Sequence, residues 1–168
     1  TNPAPVMSKS TGKAAVGLAF GGVGLVQYGV ARQTYLHWPA FRNAVNYLDD
    51  LFRNASTPLF HNRSVARLCG MVAESVPLDT SKLGSKICTE CMQVTTFLVQ
   101  VAQALALQED FDVTIEAVVG HSFGEVVAAT VAGAISMEVG VEMTLITTQA
   151  CMDIERNLSP EMMGMALF

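Results

Sequence analysis

The 168-residue sequence is poor in charge, and what charge it has leans acidic: Lys+Arg number 10 against 15 Asp+Glu, for a net charge of −5. A nucleic-acid binder needs a basic stripe to neutralise phosphates, and none is present. No apolar stretch of about 20 residues is free of charge, as a bilayer span requires. Val126 to Ile146 comes nearest, but Glu138 and Glu142 interrupt it and Gly133 and Gly140 punctuate it. It reads as one buried helix followed by another. Residues 1–13 have two prolines and no apolar core, so they do not make a signal peptide and are read as a linker. The absence of a starting Met leads us to expect a piece cut from a longer chain. A cytoplasmic protein is the expectation.

Cysteine and histidine are also sparse. Of four cysteines, Cys88 and Cys91 have the spacing of half a zinc site or of a redox pair, but no second Cys/His pair supplies a zinc's other two ligands. No metal is expected, and these are read as small buried thiols near a helix start. Without a secretory signal, disulfides are not expected, and the sequons at Asn54, Asn62 and Asn157 are read as chance. The three histidines are His37, His61 and His121.

What is abundant is apolar material, 51% of the chain, enough for a packed core and too much for disorder. Ala14 to Phe20 is a short apolar run ended by Gly21-Gly22-Val23-Gly24, the pattern of a buried strand entering a tight loop. Pro39 suits the first turn of a helix. From it Phe41, Val45, Leu48 and Phe52 recur at helical spacing, with Arg42, Asn46, Asp49 and Asp50 assigned to the other side. Residues 53–87 read as surface connections around a short helix near Val65 to Val72. Val94, Phe97, Leu98, Val101 and Leu105 form a second helical stripe. Ile115 to Val119 is a second strand, and a further helix is expected from about Gly124 through Ala134. Short strands alternating with longer helices predict a parallel α/β sheet.

Gly120-His121-Ser122-Phe123-Gly124 is a G-x-S-x-G sequence with a strand before it and a helix after it. In that setting the serine stands on a sharp turn with Oγ projecting from the sheet. Gly120 and Gly124 remove Cβ atoms that would collide with neighbouring backbone. The following helix directs free N–H groups toward the serine, where they can stabilise an oxyanion. The competing reading is a glycine-rich turn whose serine merely caps the helix.

The segment Val118 to Ser136, VVGHSFGEVVAATVAGAIS, resembles the active-site segment of malonyl/acyl-CoA:acyl-carrier-protein transacylases, and above all the acyltransferase domains of type I polyketide and fatty acid synthases. Glu125 separates it from ordinary α/β-hydrolases. Phe20 to Val26 sits where the family has a glycine-rich F-x-G-Q-G-x-Q loop. Trp38-Pro39-Ala40-Phe41-Arg42 is similar to the family's helix opening, and Met163 to Leu167 to a strand opening its small ferredoxin-like subdomain. The resemblance implies an α/β-hydrolase-like parallel sheet flanked by helices, with residues 14–168 forming the N-terminal part of the domain and the small subdomain largely missing.

It further implies acyl transfer from acyl-CoA, through Ser122, to the phosphopantetheine thiol of an acyl carrier protein. The domain would bind no cofactor of its own, and its neighbours would be other synthase domains such as a ketosynthase. The backbone N–H groups of Phe123 and Val23 would form the oxyanion hole, with Val23 and Val26 standing where the family has glutamines. His121 would line the acyl site, or serve as a supporting histidine behind it. Gly120, Gly124 and Glu125 would support the turn. The family's general base is a histidine far downstream, and no histidine follows Ser122. His37 and His61 lie upstream, where the family topology does not deliver them to the turn. The chain alone is therefore expected to be inactive.

Malonyl-selective members hold the substrate carboxylate with an arginine, and a count from Ser122 puts Thr147 at that position. This implies a neutral acyl group or a degenerate, non-catalytic segment. An esterase or patatin-like lipase remains a competing reading. Nucleotide binding at Gly21 to Gly24 fails because Gln27 stands where a third glycine is needed.

Overall fold

The computed structural model describes residues 13–23, 28–61, 63–71 and 89–157. In order, these form β1 (Ala14–Phe20), α1 (Tyr28–His37), α2 (Pro39–Asn54), a 3-10 turn (Pro58–Phe60), α3 (Val65–Leu68), α4 (Thr89–Asp110), β2 (Val113–Gly120), α5 (Gly124–Val131) and α6 (Met137–Asn157). The two strands pair in parallel, from Ala14 opposite Val113 to Phe20 opposite Gly120. The register shifts once, between Val16 and Gly17, where Glu116 is passed over. Both apolar runs of the sequence therefore lie side by side in one sheet, and both point their carboxyl ends the same way.

The core is built around α4. Val94, Phe97, Leu98, Val101, Ala102 and Ala106 are fully buried, and so are Thr95 and Thr96, so this helix is covered nearly all round rather than along one stripe. It packs against α2, α5 and α6 as well as β2 and α3. Phe97 meets Phe52 of α2 edge-on, with ring centroids 5.9 Å apart and planes at 87°. α2 behaves as its pattern demands, burying Phe41, Val45, Leu48 and Phe52. At its start Trp38 stacks on Phe41, meets Phe111 edge-on, and donates its indole N–H to the Asp110 carboxylate. That fixes the beginning of α2 to the end of α4, at the foot of β2.

Four expectations need correction. The strands were expected to be buried, yet Ala15, Gly17 and Ala19 are exposed and Val119 is 63% exposed. Alternate residues point to opposite faces, and the described helices cover only the face bearing Val16, Leu18, Phe20, Ile115 and Val118. Asp49 does not share the solvent face of α2. It is buried, accepting from the Ala66 N–H at 2.9 Å and pairing with Arg53 at 3.1 Å, so α3 docks on a satisfied carboxylate. The helix after the turn is shorter than expected, ending at Val131 with Gly133 at φ 71° behind it. Finally, α4 is no one-sided stripe. The Cys88/Cys91 pair and Met163 to Leu167 lie outside the described residues or side chains. Cys69 is buried beside Thr95, and no group of metal-ligating side chains occurs among the described residues. No described helix is long and apolar enough to cross a membrane.

Candidate active site at the strand-to-helix turn

β2 ends at Gly120, and the next N–H, that of His121, still reaches across to the Phe20 carbonyl at 3.0 Å. The chain then reverses within three residues. Gly124 N–H donates to the His121 carbonyl and Glu125 N–H to that of Ser122, each at 3.0 Å. Ser122 sits at the apex with φ 55°, the one non-glycine residue with positive φ among the described residues. The left-handed region costs an L-residue on the order of 1–2 kcal/mol, so the surrounding contacts must hold it there.

Those contacts need two glycines. A Cβ on Gly120 would stand 2.3 Å from the Gly124 carbonyl oxygen, and one on Gly124 would stand 2.3 Å from that of Phe20. The end of β1 and the start of α5 are thus pressed against the turn from both sides. Ser122 and His121 are both exposed, so Oγ is presented to solvent rather than folded back as a helix cap. Among the described residues the Ser122 hydroxyl makes no hydrogen bond, whereas a capping serine would accept one from the first turn. The capping reading of Ser122 is therefore not supported.

The loop after β1 reaches the same point. A Cβ placed on Gly22 would be 3.2 Å from the Ser122 Cβ and 3.5 Å from its Oγ, which puts the Gly21 to Val23 backbone beside the serine. The N–H groups of Val23 and Phe123 take no partner among the described residues. Val23 is 40% exposed; Val26 lies outside the described residues. A residue that pattern reading missed secures the loop: Gln100 of α4 donates its amide N–H to the Gly21 carbonyl at 3.1 Å. The available signal was a glutamine flanked by Val99 and Val101 on an otherwise apolar helix.

Other residues fall elsewhere. Glu125 is exposed in the first turn of α5. Thr147 is half-buried on α6, its hydroxyl donating back to the Met143 and Thr144 carbonyls at 2.8 and 3.0 Å. His37 precedes Trp38 and is therefore held at the foot of β2. Ser122 lies beyond the other end of this eight-residue strand, roughly 25 Å away at ~3.3 Å per residue. His61 follows the 3-10 turn and has no contact that connects it with Ser122 among the described residues.

Residues 19–167 match the acyl transferase domain family. The chain belongs to that family. It is 29% identical over 133 residues to the non-reducing polyketide synthase atr1 of Stereocaulon alpinum, covering 79% of this chain and 5% of that protein. Against the non-reducing polyketide synthase nscA of Arthroderma gypseum it is 33% identical, covering 71% of the chain and 6% of the synthase. The chain thus spans about one twentieth of the length of these curated relatives. The acyltransferase domain of the polyketide synthase PpsC of Mycobacterium tuberculosis superposes with TM-score 0.59 at 27% identity, over 82% of this chain and 36% of that one. The acyl transferase domain of ZmaA shares the fold, with TM-score 0.66 at 23% identity over 87% of this chain and 31% of its own. The mixed α/β arrangement with a small parallel sheet is accordingly that of acyl transferase domains. The esterase, degenerate-segment and nucleotide-binding readings gain nothing from these relatives.

Proposed function

We propose that this chain carries the nucleophile of an acyltransferase that moves an acyl group from acyl-CoA to an acyl carrier protein within a polyketide synthase. The Ser122 hydroxyl attacks the thioester carbonyl and gives up its proton to a general base. The backbone N–H groups of Phe123 and Val23 receive the oxyanion. The tetrahedral adduct collapses to a Ser122 ester, and the CoA thiolate leaves and takes a proton. In the second half, the carrier's phosphopantetheine thiol attacks the ester and Ser122 regains its hydrogen. The domain holds no cofactor for this chemistry.

The observation that carries the reading is the forced geometry of Ser122: positive φ, exposed Oγ, and two neighbouring positions where a Cβ would strike backbone. A serine with only a capping role would not need it. The base is a histidine supplied by the remainder of the complete domain, since His37 is held at the wrong end of the sheet and nothing among the described residues links His61 to the turn. Residues 14–168 are the N-terminal, hydrolase-like part of the domain, and residues 1–13 a linker. His121 lines the acyl site, and Thr147 takes the place of a carboxylate-binding arginine.

The test is transfer itself. The complete domain is mixed with acyl-CoA and a phosphopantetheinylated carrier protein, and acyl-carrier formation is followed by mass spectrometry. Acyl transfer to the carrier supports the proposal; release of free acid with none on the carrier contradicts it.

A further inference from the structure

Away from Ser122, a cleft of about 350 Å³ opens between the end of α1, the middle of α2 and the start of α3. Its walls are polar: Tyr35, Asn46, Asp49, Arg53, Ser64 and Arg67.

The carboxylate of Asp49 is already engaged at both oxygens, by Ala66 N–H at 2.9 Å and by Arg53 at 3.1 Å. The Tyr35 hydroxyl donates to Asn46 Oδ1 at 3.0 Å, which occupies the amide's acceptor and leaves its NH₂. Ser64 Oγ accepts from the Arg67 N–H at 3.1 Å, which leaves its O–H. Arg53 uses one guanidinium nitrogen for Asp49 and Asp50, while its buried Nε has no partner among the described residues. The Arg67 guanidinium is exposed and makes no hydrogen bond or ion pair among the described residues.

Four side chains of the walls, Asn46, Arg53, Ser64 and Arg67, thus keep unspent donors, and two of the four are cationic. A buried donor without a partner is unfavourable, and a ligand with acceptors on several sides would relieve it. A carboxylate offers two oxygens in one plane. A phosphate offers three or four, tetrahedrally disposed, with a charge that suits guanidinium groups.

We infer that this cleft binds a phosphate group, free or as a small phosphate monoester. Arg67 and Arg53 supply the charge, and Asn46 and Ser64 the neutral donors.

Equilibrium dialysis of the intact protein against radiolabelled inorganic phosphate tests this, at ionic strength fixed with sodium chloride. Wild type should bind one phosphate per chain more than Arg67→Gln, and Arg67→Gln should weaken that site at least tenfold. Because Arg67 is exposed, this variant keeps its circular dichroism spectrum. Tyr35→Phe, which releases the Asn46 amide, should weaken the site by a smaller factor. Glycerol phosphate should displace the label if esters are accepted, and fail to displace it if only the free ion is held; both agree with a phosphate site. Equal phosphate binding by wild type and Arg67→Gln would overturn the assignment, as would acetate displacing the label as well as unlabelled phosphate.

Discussion

Gln100, in the middle of α4, holds the carbonyl of Gly21 with its side-chain amide at 3.1 Å, while its own buried Oε1 has no partner among the described residues. Through that single bond, the central helix sets the position of the loop whose next residues run beside Ser122. An orphaned buried oxygen is unfavourable, so holding the loop in this way costs some stability.

Gln100→Leu is of similar size and removes both the useful donor and the orphaned acceptor. Thermal unfolding should move by only about 2 °C, because the two losses offset each other. The rate of acyl transfer should drop by about tenfold, because the Val23 N–H is no longer held in place. An unchanged rate would show that the loop is set by other contacts.

Gly124→Ala should be severe. Its Cβ would meet the Phe20 carbonyl oxygen at 2.3 Å and that of Gly21 at 2.8 Å, and backbone cannot step aside as a side chain can. A loss of about 3 kcal/mol or more is expected, read as the shift in the denaturant midpoint. A loss below about 1 kcal/mol would mean that the turn is looser than described.

Much of this was legible in the sequence. Both strands, the helix starting at Pro39 and the strand-to-helix turn follow from apolar runs closed by glycine and proline. Buried Asp49 was not legible, because its partner is the backbone N–H of Ala66 and backbone donors leave no trace in residue pattern. Nor was the open face of the sheet: Ala15, Gly17 and Ala19 are apolar and small, and pattern alone cannot say which apolar face is covered. Gln100 showed only as a polar break in an apolar helix.

Glu142 of α6 accepts from the Thr57 hydroxyl at 2.7 Å and from the N–H groups of Ser56 and Thr57. The Thr57 side chain, ahead of an opposing burial effect and the two backbone donors, holds its carboxyl below the usual 4.5. A depressed folded value means that the stabilisation is fully present above the ordinary value and is lost as the pH falls through the folded one. Glu142→Gln should therefore destabilise the chain by about 1 kcal/mol at pH 7. Below the carboxylate range the wild type and the variant should converge. A gap that persists at pH 2 would mean that the carboxylate's charge is not the cause.

Thr147 bonds back to its own helix and offers no cation to a substrate carboxylate. The complete domain should then prefer acetyl-CoA to malonyl-CoA, since an unpaired carboxylate entering an apolar site loses hydration without compensation. Thr147→Arg should raise the malonyl/acetyl ratio of kcat/KM by about tenfold to a hundredfold. Efficient malonyl transfer by the unaltered domain would contradict the assignment of this position.

The central claim is that Ser122 carries the acyl group, and the most direct measurement is the mass of the protein after brief exposure to acyl-CoA. In the complete domain, with no carrier protein present, wild type should gain one acyl group. Peptide mapping should place it on Ser122 in the Gly120 to Gly124 turn. Ser122→Ala should gain none while unfolding at the same temperature. Acylation that persists in Ser122→Ala, or maps to another residue of the wild type, would contradict the account.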